Sequence, residues 1–436
     1  MIHLLADELD TLLSRRAVAP LFQPIVDLAT GDTVAFEALA RGPEDSPLRM
    51  PQEMFDTARE AGRLEELDEL CRTRAVEAAV ESGLCAPFGL FVNIEPAAIP
   101  SAVRPDVLAA AERQGIRLVV ELTERALTRN PARLLAFAER VRAAGIGIAL
   151  DDVGADPDSL ALMPFLRPEV VKLDLQLVQR RPNTSVAEIM TAVTAYAEQC
   201  GALILAEGIE EEVHERTALS LGATLGQGWR FGRPATLPGP GGDAPCPPPP
   251  RRPLVLHRAS LTPTPHSPYG AVARVRTPQR GSRSLLVAVS RLIERQAGEL
   301  RGLAVVLAAF EDVRNLTGST SRRYARLAAS TAFVAVLGAG MPPDPLPGVR
   351  GADLAPDDPV RGEWDLAVVG PHFAAALVAR DLDPNSTDPD RSFDYLLTYD
   401  RSVVLDVARS LMSRALPAGQ SLPTSVADAA EPLAVG

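Results

Sequence analysis

Oxygen-bearing and charged side chains recur at one place in a repeated pattern, near the C-terminal end of a short apolar run. Glu37 falls late in TVAFEALA (33–40), Asn93 near the end of LFVNI (90–94) and Glu121 near the end of LVVEL (118–122). Asp151 closes IGIALD (146–151), with Asp152 next to it. Lys172 and Asp174 end VVKLD (170–174), Glu207 ends LILAE (203–207), and Gln227 follows ATLG (223–226). Carboxylates gathered in one cleft repel each other and are costly to desolvate. Divalent cations resolve that conflict. The set holds Asp, Glu and Asn but no His or Cys, and hard oxygen donors favour Mg²⁺ or Mn²⁺, with Ca²⁺ also open, over zinc or copper. At least five candidate ligands are enough for a two-metal site, which serves a nucleophilic water and clamps a phosphoryl oxygen. Each residue alone has a plainer role, such as Asp151-Asp152 capping the next helix or first-turn acids answering a helix dipole. Only the ordered set argues for chemistry.

Something must bring these residues together. With FQPIV (22–26) added, eight β-like runs are spread over the first 235 or so residues. Thr30-Gly31-Asp32 is a tight-turn signal, so the first two runs are expected to pair antiparallel. Helical patterns separate the later runs. EELDELCRTRAVEAAVESG stops at Gly83, PARLLAFAERVRAAG opens on Pro131 and stops at Gly145, and SVAEIMTAVTAYAEQCG is capped by Ser185. This order predicts a (β/α)8 barrel of the α/β class, whose strand ends converge on one rim. A doubly wound open sheet is the competing architecture.

The chain has 436 residues and 46% hydrophobic content, enough for two or three domains with real cores. A net charge of −12 leaves no basic footprint for a nucleic-acid polymer. Cys71, Cys85, Cys200 and Cys246 show no C-x-x-C spacing, which fits a reducing compartment without structural zinc. The N-terminus lacks a leader pattern, and no apolar run is long enough for membrane insertion. A cytoplasmic protein is expected. The composition divides the chain into a barrel (1–235), a Pro-rich linker (236–270), a second α/β domain (271–415) and a flexible tail (416–436).

QPIVDLATGDTVAFEALARG, with Glu37-Ala38-Leu39 followed by Arg41, resembles the opening of EAL domains, the cyclic di-GMP phosphodiesterases. FVNI, ELTE, DDVG, KLD, AEGIE and GQGWRFGRP follow in that family's order, so the resemblance covers roughly residues 10–235. It implies a TIM-like barrel that opens cyclic di-GMP to linear pGpG with two Mg²⁺ or Mn²⁺ ions, Ca²⁺ being inhibitory. Glu37, Asn93, Glu121, Asp151 and Glu207 would be metal ligands, with Asp152 serving the second metal. Lys172 would orient or activate the attacking water, and Gln227 would support the site. Glu124 would brace the loop after the fifth strand. Arg41, Gln23, Asp174 and Glu210 would serve substrate binding, Arg41 through a phosphate and Glu210 from behind the first contacts. A homodimer through the barrel is also implied. One loop departs from the family's Phe-Gly-Thr-Gly-Tyr-Ser-Ser-Leu-like pattern. Here it reads Val153-Gly154-Ala155-Asp156-Pro157-Asp158-Ser159-Leu160, and proline restricts its predecessor to extended geometry. A cyclic di-GMP receptor with weak or no turnover is therefore the alternative, and a barrel reduced to a scaffold is a further one.

In the second domain, Ala304 to Phe310 reads as a strand. Both GEWDLAVVGPHFAAALVARDL and FDYLLTYDRSVVLDVARSLM read as strand, turn and helix. Together with TSRRYARLA, these segments resemble the DICT module, a sensory domain found with cyclic di-GMP enzymes. The resemblance implies an unidentified ligand or protein partner acting there. His372, in a turn, is expected to be structural.

Overall fold

The computed structural model describes residues 2–95, 104–123, 131–154, 160–180, 183–237, 248–257, 264–300, 302–383, 388 and 390–415. Glu124, Cys246, most of the variant loop and the expected tail lie outside the described residues.

Eight strands close into a barrel: β1 (Ala19–Asp27), β2 (Thr33–Arg41), β3 (Gly89–Ile94), β4 (Arg117–Thr123), β5 (Gly147–Val153), β6 (Val170–Leu173), β7 (Leu203–Ala206) and β8 (Leu225–Gln227). All eight expected runs are strands, and the closed barrel rules out the open sheet. From β2 onward neighbours are parallel, whereas β1 is antiparallel to both β2 and β8. The β1–β2 turn shows why. Asp27 Oδ1 accepts the backbone N–H groups of Ala29 (2.8 Å) and Thr30 (3.0 Å), and Gly31 takes φ 74°. A side-chain-closed turn ending on a left-handed glycine reverses the chain at once.

Side chains two apart on a strand share a face, and this barrel uses that rule throughout. Ala35, Phe91, Val119, Ala149, Val170, Leu205 and Leu225 form one interior cluster with Ile25. Two residues further on stand Glu37, Asn93, Glu121, Asp151, Lys172, Glu207 and Gln227. In β1, which runs the other way, Gln23 stands two residues before Ile25. A dry apolar layer therefore underlies one ring of polar side chains. The outward faces of the strands pack under helices such as Leu64–Glu81, Pro131–Ala143 and Thr184–Cys200.

Part of the segment expected to be a linker packs into the opposite end of the barrel. Leu254 is 3% exposed and belongs to the interior cluster, with Leu256 packed against it. Gly89 and Gly147 make the room, because a Cβ on them would lie 2.8 Å from Leu254 and 2.7 Å from Leu256. Residues 248–257 thus cap the barrel floor.

The second domain is a seven-stranded sheet in the order β12-β11-β10-β13-β14-β15-β9. Its strands are β9 (Gln279–Ser282), β10 (Val305–Asp312), β11 (Phe333–Ala339), β12 (Val349–Asp353), β13 (Glu363–Val369), β14 (Ala374–Asp381) and β15 (Ser392–Thr398). Helices Arg283–Glu299 and Gly318–Ala328 cover one face, and Pro268–Ala273 and Arg401–Met412 cover the other. One expectation fails. AAALVARD, expected as helix, is strand β14. It pairs on both edges, with β13 and β15, and Ala374–Ala379 are buried. Two ladders and a covered position outweigh the helix preference of alanine.

Helix Arg401–Met412 also faces the barrel. Arg409 Nη2 lies 2.9 Å from Glu139 Oε1, and Arg167 Nη2 lies 3.6 Å from Asp406 Oδ1. Residues of both domains join one apolar cluster.

Two predictions follow from this packing. Leu254→Ala should destabilise the full chain by about 2–5 kcal/mol in urea denaturation, the cost of a large-to-small core change; an unchanged midpoint would show that the floor segment adds nothing. Asp365, on β13, is fully buried, and neither carboxyl oxygen has a hydrogen-bond partner among the described residues. Burial, reinforced by Glu363 and opposed by Arg380 and Arg414, pushes its carboxyl well above the ordinary value of 3.8. A carboxyl raised on folding contributes stability below its unfolded pKa that drains away as pH rises. Asp365→Asn should therefore raise Tm in mildly alkaline buffer, with the gain shrinking in acid. Equal shifts at both would contradict the assignment.

Candidate active site

The polar ring at the barrel mouth centres on one buried lysine. Lys172 Nζ lies 2.7 Å from Glu121 Oε1, 2.8 Å from Glu207 Oε1, 3.0 Å from Asp151 Oδ1 and 3.6 Å from Glu37 Oε2. These are charge contacts, since Nζ makes no well-directed hydrogen bond to any described residue. Glu37 is held by amides: Asn93 Nδ2 donates to Oε1 (3.1 Å) and Gln227 Nε2 to Oε2 (2.6 Å). Gln227 Nε2 also lies 3.2 Å from Gln23 Oε1. Strand register makes this possible, with Gln23 opposite Glu37 and Ile25 opposite Gln227.

Adjacent residues of a regular strand point to opposite faces, so Asp151 and Asp152 should not share a site. The β5–β6 register shifts between Leu150 and Val153, and Asp152 adopts φ 58°. This bulge, with a non-glycine residue in the left-handed region, turns both carboxylates to the mouth. Oxygens of Asp151, Asp152 and Glu207 lie within 4.8 Å of one another.

The electrostatics follow from crowding in a dry place. Burial, with Glu37 and Asp151 close by, drives the Glu121 carboxyl well above the ordinary 4.5, against Lys172. Burial likewise raises Glu207 to about 8. Burial also acts to raise Glu37, but Lys172 and the Gln227 and Asn93 amides outweigh it and leave this carboxyl below its usual value. Burial alone would lower Lys172; Asp151, Glu121, Glu207 and Glu37 instead hold it well above 10.5. Five carboxylates against one ammonium leave a formal charge of −4 when all are ionised. The buried Glu121 Oε2 also has no hydrogen-bond partner among the described residues. An excess of oxygen donors, one of them orphaned, fits a hard divalent cation.

Two cavities meet on Glu37. One, of about 600 Å³, is bordered by Asn93, Asp152, Arg59 and Arg72. The other, of about 430 Å³, is bordered by Gln23, Asp151, Glu207, Glu210, Gln227 and Trp229. Arg41 ends β2; burial lowers its pKa, with Glu37 opposing. Its Nη1 donates to Ala40 O at 2.7 Å. Asp174 is not drawn into the cluster; it caps helix Leu175–Gln179, its Oδ1 accepting from Gln176 N–H at 2.7 Å. Glu210 is exposed at the rim of the second cavity. Trp229 carries no expectation from the sequence. It is 53% exposed beside that cavity, with Arg233 stacked 4.1 Å from its ring centre. A tryptophan directly after Gln227-Gly228 is the signal in the sequence that points to it.

The profile of the EAL domain matches residues 6–234, and that of the sensory domain in diguanylate cyclases and two-component systems (DICT) matches residues 270–382. A signalling protein of Caulobacter vibrioides is 30% identical over 227 residues, 50% of this chain and 27% of that protein. The bifunctional diguanylate cyclase/cyclic di-GMP phosphodiesterase MucR of Pseudomonas aeruginosa is 28% identical over 242 residues, 53% of this chain and 35% of its own length. The match thus spans only about a quarter to a third of these relatives. Among solved structures, a MucR phosphodiesterase complex with cyclic di-GMP is 27% identical with a TM-score of 0.47, covering 53% of this chain and 97% of that one. No helix among the described residues is long and apolar enough to cross a membrane. The chain belongs to the EAL domain family, with a DICT sensory domain following its barrel.

Proposed function

We propose that the barrel hydrolyses cyclic di-GMP to linear pGpG, using two Mg²⁺ or Mn²⁺ ions held by Glu37, Asn93, Glu121, Asp151, Asp152 and Glu207. The observation that carries this reading is the convergence of five carboxylates, Asn93 and one buried lysine on a single rim. Bound divalent ions would neutralise the carboxylates, polarise the phosphoryl oxygen and make water nucleophilic near neutral pH. Lys172 stands where it can orient the attacking water, while Gln227 and Asn93 fix the Glu37 carboxylate. Attack on phosphorus forms a P–O bond to the water oxygen and breaks the P–O3′ bond. The product then keeps a 5′ phosphate and gains a 3′ hydroxyl, as pGpG requires. Arg41, Gln23 and Glu210 are assigned to the substrate side, Asp174 acts there only through the helix it caps, and Trp229 offers a face for a purine. Glu124, outside the described residues, is assigned to bracing the loop after the fifth strand. A homodimer through the barrel and a cytoplasmic setting belong to the same reading.

A receptor without turnover is the second reading. Its motive is the Asp156-Pro157-Asp158 replacement in the loop that follows the Asp151-Asp152 bulge. One assay separates the two. Purified full-length protein with Mn²⁺ should convert cyclic di-GMP to pGpG, resolved by chromatography. Ca²⁺ should support binding without product. Glu37→Gln should reduce the rate by at least about 10²-fold. Binding without product under Mn²⁺ would favour the receptor, and absence of binding would reject both.

Lys172 also sets a stability expectation independent of turnover. Breaking a buried ion pair by removing one partner costs about 3–5 kcal/mol. Lys172→Met should lower Tm in chelator-treated buffer, and millimolar Mn²⁺ should restore much of the loss. An unchanged Tm in chelator would show that the carboxylates do not depend on this ammonium.

A further inference from the structure

The sensory domain holds a cavity of about 240 Å³ on the sheet face opposite helix Arg401–Met412. It lies between helices Arg283–Glu299 and Gly318–Ala328 and strands β10, β13 and β15. Four aromatic rings wall it in two edge-to-face pairs: Trp364 with Phe393 (5.7 Å between centres) and Phe310 with Tyr324 (5.5 Å).

Its charges are unequal. Arg283, Arg291, Arg323 and Arg391 line it against Glu294 and Glu311, in a chain whose net charge is −12. Both carboxylates are engaged, Glu294 by Arg323 at 2.7 Å and Glu311 by Arg391 at 3.4 Å. Arg391 also pairs with Asp381. Arg283 and Arg291 form no ion pair with a described residue. Ser290 Oγ, in a residue 6% exposed, lines the same cavity and has no hydrogen-bond partner among the described residues. A buried hydroxyl left unmatched is costly, and beside the exposed guanidinium groups of Arg283 and Arg291, the first of which also acts on Glu311 and Asp390, it completes a donor set for an anion.

We propose that this cavity binds a small planar organic anion, one aromatic ring bearing a carboxylate or a phosphate. The ring packs among Trp364, Phe393 and Phe310, and the anionic group meets Arg283, Arg291 and Ser290. A cationic ligand would face four arginines against two glutamates. The volume lies below the roughly 300–1,000 Å³ of drug-sized ligand pockets, so a cyclic dinucleotide does not fit and a single ring system does. This site is separate from the barrel mouth and does not rest on the barrel's chemistry.

The test uses the full chain carrying Trp229→Phe, which leaves Trp364 as the sole tryptophan of the two. Its emission is titrated with benzoate, with phenyl phosphate and with benzyl alcohol as the neutral counterpart. Saturable quenching or a shift by one or both anions is expected, with benzyl alcohol at least tenfold weaker; which anion binds more tightly names the acid group. An Arg283→Ala, Arg291→Ala variant should weaken the better anion at least tenfold while its ligand-free melting curve stays unchanged. Should that variant fold poorly, Ser290→Val should weaken the anion relative to benzyl alcohol. Absence of saturation by either anion, equal binding of benzyl alcohol, or full affinity without the arginines would overturn the proposal.

Discussion

One buried ammonium among carboxylates is the contact on which this barrel mouth depends. Lys172 lies within 3.0 Å of three carboxylates and within 3.6 Å of a fourth, above a layer of apolar side chains. Low local dielectric makes each of these charges consequential. One ammonium is too little for five acids; burial first, and the neighbouring carboxylates after it, hold the Glu121 and Glu207 carboxyls above their ordinary values despite Lys172. The protein has gathered more negative charge than its own side chains can balance. That surplus is the physical case for external cations.

The arrangement comes from simple geometry applied repeatedly. A two-residue step separates the apolar layer from the polar ring on every strand, so register alone sets most of the site. Two departures complete it. Antiparallel β1 brings Gln23 across from Glu37, and the bulge at Asp152 puts two consecutive acids on one side. At the other end, Gly89 and Gly147 admit Leu254 and Leu256. The segment leading to the sensory domain is therefore part of the barrel core, and Arg409 and Asp406 on the sensory side tie onto the barrel's outer helices.

Much of this is legible in the sequence. The strands were readable because apolar runs with a period of two are short and bounded, and the mouth residues because they sit at the same phase of each run. What escaped depended on distant partners. AAALVARD has helical composition and becomes a strand only because β13 and β15 flank it. Leu254 lies in a proline-rich stretch, and only the small residues at the barrel floor turn it into core. Asp174 shares the phase of the site but serves as a helix cap, a role set by where the chain turns after β6. Trp229 is not legible there because a lone aromatic carries no periodicity. The sensory cavity draws on two helices and three strands scattered from Arg283 to Phe393, so no single motif announces it.

The central claim is that the acid surplus at the barrel mouth exists to hold a pair of divalent ions. Electron paramagnetic resonance of the metal-free protein titrated with Mn²⁺ tests it most directly. Two ions per chain with a spin-coupled spectrum, as expected for metals about 3.5–4 Å apart, would support the account. A single uncoupled ion, or no bound manganese at millimolar concentration, would contradict it.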